Sequence, residues 1–245
     1  MKILHIFLLV LLFPAMALAV DGRSVTYTVA GEPFEGYYIS PSADAPLILL
    51  FHDWDGLTDY EVVRSRMLAD LGYAVFAADL FGAGIRPDKI EDRRQHTGEL
   101  YKDRARMRRL MDGAVDAARS EGANVDHAVV MGYCFGGAAV LELARSGADF
   151  KGFVTFHGGL ATPEGQDYSN TKGKLLILHG TADTAITMQD FAKLAIELEA
   201  NHIPHEMITY GGAPHAFTVF GTDRYRQNAD ENSWWRFRIF LKEVL

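Results

Sequence analysis

The 245-residue chain has a single cysteine, Cys134, so no intrachain disulfide can form and CxxC zinc or iron–sulfur frameworks are excluded. Positive charge is also in short supply: 24 Lys and Arg face 32 Asp and Glu, for a net charge of -8. A chain this acidic lacks the basic face that phosphate backbones demand, which argues against nucleic-acid binding. After residue 19 no apolar run approaches the ~20 residues of a membrane span. There is no HExxH or clustered acid–His motif, and the spacing of His52, His157 and His179 fits no standard ligand pattern. Neither a metal nor another cofactor is therefore expected. Glycine (23) and proline (8) are not in excess, which excludes fibrous and low-complexity classes. What is present, 49% apolar residues, suffices for one sizeable core without staples.

Residues 1–19, MKILHIFLLVLLFPAMALA, have the layout of a secretory signal. Lys2 is a minimal positive region, Ile3 to Leu12 an apolar core, and Ala17-Leu18-Ala19 a small-x-small cleavage site. Val20 should begin the mature chain, one domain over 20–245. The expected product is exported, periplasmic in a Gram-negative source or otherwise secreted, and off the membrane after cleavage.

Strands and helices then alternate. Val25–Ala30 and Glu35–Ser40 suggest two short antiparallel strands. Pro46–His52 is a continuous apolar run, as in a strand covered on both faces. Thr58-Asp59-Tyr60-Glu61 is a capping box opening a helix, with Val63, Met67 and Leu71 as its apolar stripe. Tyr73–Ala78, Asp126–Gly132, Phe150–Phe156, Lys174–His179 and Glu206–Tyr210 are further strands. Helices are predicted at about 97–121, Phe135–Arg145, Met188–Ala200 and Asn232–Val244. This order implies an α/β fold, a mostly parallel central sheet with helices on both faces.

The strongest chemical signal is Gly132-Tyr133-Cys134-Phe135-Gly136-Gly137, running from an apolar strand into a small-residue helix. It is a G-x-S-x-G nucleophile elbow with cysteine in place of serine. The glycines leave room for neighbouring backbone, and the free N–H groups of the helix start favour an anionic sulfur. Taken alone, Cys134 is equally a small buried hydrophobe. Asp183 follows the apolar strand ending at His179, and His215 lies in a Gly/Pro loop before the last helix. Each has an ordinary reading as a turn aspartate or loop histidine. In the order nucleophile, acid, base, at strand ends, the three point to a hydrolytic triad. Its oxyanion hole would use the backbone N–H groups of Phe135 and Trp54.

The segments LLFHDWDGL, FAADLFG, GYCFGG, LHGTAD and PHAF, spread over nearly the whole mature chain, resemble the dienelactone hydrolase family of α/β-hydrolases. The resemblance implies that fold, a Cys134–Asp183–His215 triad, and cleavage of a small ester or lactone; the protein is expected to act as a monomer. The family's glutamate beside the nucleophile corresponds to Asp53, which either approaches the thiol or is a plain loop carboxylate. Two arginines hold the carboxylate in dienelactone-cleaving members. Gapless matching puts Ala83 and Val219 there, with Arg86 as a substitute for the first or a solvated loop residue. Neutral, fairly apolar esters or lactones are the expected substrates, with Trp54, Phe135 and Phe217 as pocket walls. Two other readings stay open: an exported esterase or lactonase of unrelated range, and a non-catalytic binding or thiol redox-sensing protein.

Overall fold

In the computed structural model, residues 21–245 are described, and the signal expected at 1–19 lies outside them. Strands β1 (Arg23–Val29) and β2 (Glu32–Ile39) pair antiparallel, and β2 pairs antiparallel with β4 (Ala74–Ala78). Next come β3 (Pro46–Phe51), β5 (Asn124–Tyr133), β6 (Gly152–Phe156), β7 (Lys174–Gly180) and β8 (His205–Tyr210), all parallel. The sheet order is β1-β2-β4-β3-β5-β6-β7-β8. The α/β architecture expected from the sequence is thus present.

Alternation along β3 explains the layers. Leu47, Leu49 and Phe51 face one core, with Met107 and Met111 of α3 (Arg104–Ser120), Val140 of α4 (Phe135–Arg145) and Leu194 of α5 (Met188–Ala200). Ile48 and Leu50 face the other, with Leu68 of α1 (Asp59–Ala69) and Phe237, Phe240 and Leu241 of α6 (Gln227–Val244). A strand apolar at both parities can bury both faces, and only a sheet between helix layers uses both.

Two expectations are corrected. The long helix at 97–121 is two helices, α2 (Ile90–Lys102) and α3, divided at Asp103. The Asp103 carboxylate accepts the Arg106 N–H at 2.8 Å, capping α3. Leu100 and Met107 are buried on either side of the break, so the apolar spacing runs through a point where the backbone does not. The second correction is in α1. Its capping box forms as expected, but Val63 and Leu71 are exposed, and Glu61, Arg64, Ser65, Leu68 and Ala69 are buried. That helix turns a largely polar face inward because Arg64 pairs with the buried Asp230 and Glu61 holds the Thr58 cap. On the last helix, Phe237 and Phe240 are buried against the sheet, whereas Trp235 is exposed.

Candidate active site

Cys134 lies between β5 and α4 with φ 51° and ψ -111°, a left-handed conformation that costs a non-glycine residue on the order of 1–3 kcal/mol. Hydrogen bonds impose it. Its N–H donates to Phe156 O at 3.1 Å, and its carbonyl accepts from Ala138 N and Gly159 N, both at 3.3 Å. The flanking glycines are required sterically. A Cβ on Gly132 would stand 2.3 Å from Gly136 C, and one on Gly136 would stand 2.2 Å from Phe51 O. The elbow can form only where β5, α4 and the end of β3 come this close.

His215 Nε2 is 3.0 Å from Cys134 Sγ, and His215 Nδ1 is 2.7 Å from Asp183 Oδ2. The other Asp183 oxygen accepts the Ala185 and Ile186 N–H groups, each at 2.9 Å. Burial alone would raise the Asp183 pKa, but the His215 hydrogen bond, with these N–H donors and the imidazole charge, holds it below the usual carboxylate value. Burial would likewise lower the His215 pKa, yet the bonds to Asp183 and Cys134, with their charges, push it up to about 10. The arrangement therefore favours the protonated form of the His215 imidazole.

A cavity of about 430 Å³ opens over the sulfur, lined by Cys134, His215, Asp53, Trp54, Phe135 and Tyr101 among others. A second of similar volume shares Tyr101, Gly159, Ala185 and Ile186 with it and continues past Leu160 and Ala161 to Arg104. Among the described residues, no acceptor takes the backbone N–H of Trp54 or Phe135. Both residues line the first cavity. Asp53 lines it as well, but among the described residues its carboxylate accepts only the Asp55 N–H, at 3.2 Å, and makes no hydrogen bond to the thiol. Burial first, then the neighbouring Asp55 and Glu61 carboxyls and Cys134, raise its pKa well above the usual carboxylate value.

Arg86 is not brought to this site. It pairs with Glu35 at 3.2 Å and lines a different cavity, beside Leu57 and Thr58. Phe217 is buried with Ala213 rather than lining the pocket. The pocket is also not free of cations, because Arg94 and Arg224 line it and both are exposed. Arg94 has a readable signal, the seven-residue spacing that puts it on the Tyr101 face of α2. That face is evident only once α2 is known to start at Ile90. Arg224 belongs to no periodic pattern. The strand-end histidines are structural: His52 takes the Leu80 N–H at 3.0 Å on Nε2 and donates from Nδ1 to Asp53 O at 2.6 Å, while His179 donates to Ile186 O at 3.0 Å. Among the described residues, no three His, Cys, Asp or Glu side chains form a metal-holding group, and no helix is long and apolar enough to cross a membrane.

The family model described as "Dienelactone hydrolase family" matches residues 34–245. The chain is 32% identical to m3DLH, with a TM-score of 0.87 over 93% of this chain and 99% of that structure. It is 30% identical to P91, a dienelactone hydrolase-like promiscuous phosphotriesterase from metagenomic libraries, with a TM-score of 0.85 over 92% and 99% of the two chains. It is 23% identical to a protein of Saccharolobus solfataricus provisionally named carboxymethylenebutenolidase, over 91% of this chain and 98% of the relative.

Proposed function

The chain belongs to the dienelactone hydrolase family, a hydrolase acting on ester or lactone bonds, and on that premise we propose that Cys134 is its nucleophile, with His215 as base and Asp183 as orienting acid. The observation that carries this reading is the unbroken contact from Asp183 through His215 to the Cys134 sulfur, at 2.7 and 3.0 Å, on the floor of a cavity. His215 takes the thiol proton and the thiolate attacks the substrate carbonyl. The Phe135 and Trp54 N–H groups receive the oxyanion. As the tetrahedral intermediate collapses, His215 returns the proton to the departing alkoxide, which in a lactone stays tethered to the acyl group. In the acyl-enzyme the sulfur no longer carries charge, so one source of the raised His215 pKa is gone. His215 can then be neutral and activate the water that releases the acid.

Small carboxylic esters and lactones form the substrate class. Arg94 and Arg224 remove the reason to expect only neutral ones, since a guanidinium at the pocket wall pairs with a substrate carboxylate. P91 is named for phosphotriester cleavage, and an aryl phosphotriester is accordingly a reasonable second probe. The reading includes export with Val20 as the first residue of the product, supported by the Lys2, apolar and Ala-x-Ala pattern of residues 1–19. N-terminal sequencing of the exported product tests it.

The catalytic reading is tested with p-nitrophenyl acetate. Cys134→Ala should abolish turnover, and rapid quenching of wild type should trap a mass increase of one acetyl group on Cys134. Full activity in Cys134→Ala would refute the reading.

A further inference from the structure

Behind His215 runs a buried polar chain that the proposed chemistry does not use. It begins at His157, just past β6, which is fully buried and has φ 42°. The His157 and His215 rings meet edge to face, with centroids 5.4 Å apart. His157 Nε2 is 2.8 Å from Thr218 Oγ1, and the same hydroxyl is 2.7 Å from Tyr60 OH. Arg64 of α1 donates from Nη2 to the Thr218 carbonyl at 2.8 Å and to Asp230 Oδ1 of α6, and from Nε to Tyr60 OH at 3.3 Å.

Arg64 is 1% exposed, and its guanidinium lies 4.3 Å from the ring centre of Phe220, 5.1 Å from Trp234 and 5.8 Å from Tyr133. Tyr133 directly precedes Cys134, and Phe220 belongs to the loop that carries His215. A buried guanidinium held by a carboxylate and aromatic faces has little freedom, and its planar fork fixes two acceptors in one geometry. The loop from 211 to 226 contains no helix or strand. Three groups from the body, His157, Tyr60 and Arg64, meet on one of its residues, Thr218, three positions after His215.

We propose that Thr218 is a positioning residue for His215, clamped by Arg64 and Tyr60 and joined to the imidazole through the strained His157. It sets where the His215 ring stands relative to the Cys134 sulfur without touching substrate. The strain at His157 fits this role, since backbone held out of its preferred region persists where the surroundings over-determine it and clusters at functional sites. The proposal rests on the triad reading for its kinetic arm and on the structure alone for its thiol arm.

The test is Thr218→Val, which keeps the branched shape and removes the hydroxyl, with Thr218→Ser as the conservative rescue. With p-nitrophenyl acetate, Thr218→Val should lower kcat roughly tenfold or more while KM stays within about twofold, and Thr218→Ser should recover most of kcat. The second readout is the rate at which iodoacetamide alkylates Cys134 at pH 7. It reports the His215–sulfur contact without any ester, and it should fall in Thr218→Val and recover in Thr218→Ser. A folded Thr218→Val with both kcat and alkylation within twofold of wild type would overturn the proposal. If Thr218→Val does not fold, Arg64→Lys decides the matter. It keeps the charge opposite Asp230 but cannot reach both acceptors, so wild-type rates in it would also overturn the clamp. Should Cys134→Ala retain turnover, the hydrolase reading falls, and the alkylation arm still tests the positioning.

Discussion

Two arginines and one glycine carry the sharpest consequences at the scale of single residues. Arg94 and Arg224 are exposed at the cavity wall, so each charge pair with a substrate carboxylate is screened and contributes about 1 kcal/mol, roughly fivefold in kcat/KM. Replacing either with alanine should therefore lower kcat/KM for a carboxylated lactone about fivefold and leave a neutral acetate ester within twofold. Equal effects on both substrates would mean that the arginines do not read charge. Gly136 tolerates no Cβ, since the atom would stand 2.2 Å from the Phe51 carbonyl and 2.5 Å from that of His52. Neither is the end of a flexible side chain, so strand β3 or the elbow must shift. Gly136→Ala should lose at least a hundredfold in kcat/KM for p-nitrophenyl acetate, because displacements near 1 Å are costly in a site that depends on alignment. Its measured Tm against wild type separates loss of alignment from loss of fold.

Helix α1 shows how one element serves two parts of the site. Its cap is reciprocal: the Thr58 hydroxyl accepts from Tyr60 N–H, and Glu61 accepts from the Thr58 N–H at 2.8 Å and hydroxyl at 2.9 Å. The cap follows directly on the loop holding Asp53 and Trp54, and Arg64, one turn later, grips the loop of His215. Glu61 is fully buried, and burial raises its pKa to about 7 despite the Thr58 bonds that lower it. Thr58→Ala removes the cap hydroxyl and one partner of that buried carboxyl. It should lower stability by about 1 kcal/mol, a fall of about 2–4 °C in Tm by calorimetry for a protein of this size. A larger relative loss in kcat than in the Arg94→Ala variant would show that the start of α1 also holds the Trp54 N–H in place. Helices α2 and α3 make the complementary point about elements: the Asp103 cap lets the chain turn between them, and α2 can then present Arg94 and Tyr101 to the cavity.

For the whole molecule, the contact of His215 with Asp183 and Cys134 links stability to pH. The folded His215 pKa is about 10, above the ~6.5 of an unfolded histidine. A raised pKa means that the folded state binds the proton more tightly. The resulting stabilisation is complete below about pH 6.5 and is lost as pH rises towards 10. The Tm of wild type should therefore exceed that of His215→Gln by most near pH 6, with the gap closing between pH 6.5 and 10. In a Cys134→Ala background the gap should close at lower pH, because the sulfur is one of the two groups that raise the pKa. A gap independent of pH would mean that His215 is not charged in the resting protein.

Periodicity and local chemistry alone determined a good part of this protein. Apolar runs placed β3, β5 and β7, small residues and glycines marked the elbow at Cys134, and α4 and α5 have the predicted limits, because each of these signals arises within a few neighbouring residues. That Cys134, Asp183 and His215 come together was likewise legible, since a glycine-flanked strand–helix turn and two strand-end loops lie at the same edge of a parallel sheet. Tertiary structure alone decided what depends on partners far along the chain. Arg64 could be buried only because Asp230, Thr218 and four aromatic rings converge on it, from as much as 166 positions away. Arg86 was drawn to Glu35 and away from the cavity, while Arg94 and Arg224 reached it from a helix start and a turn with no motif. Side chains that long are placed by the charges and surfaces around them, and those surroundings exist only after the sheet has brought distant segments together.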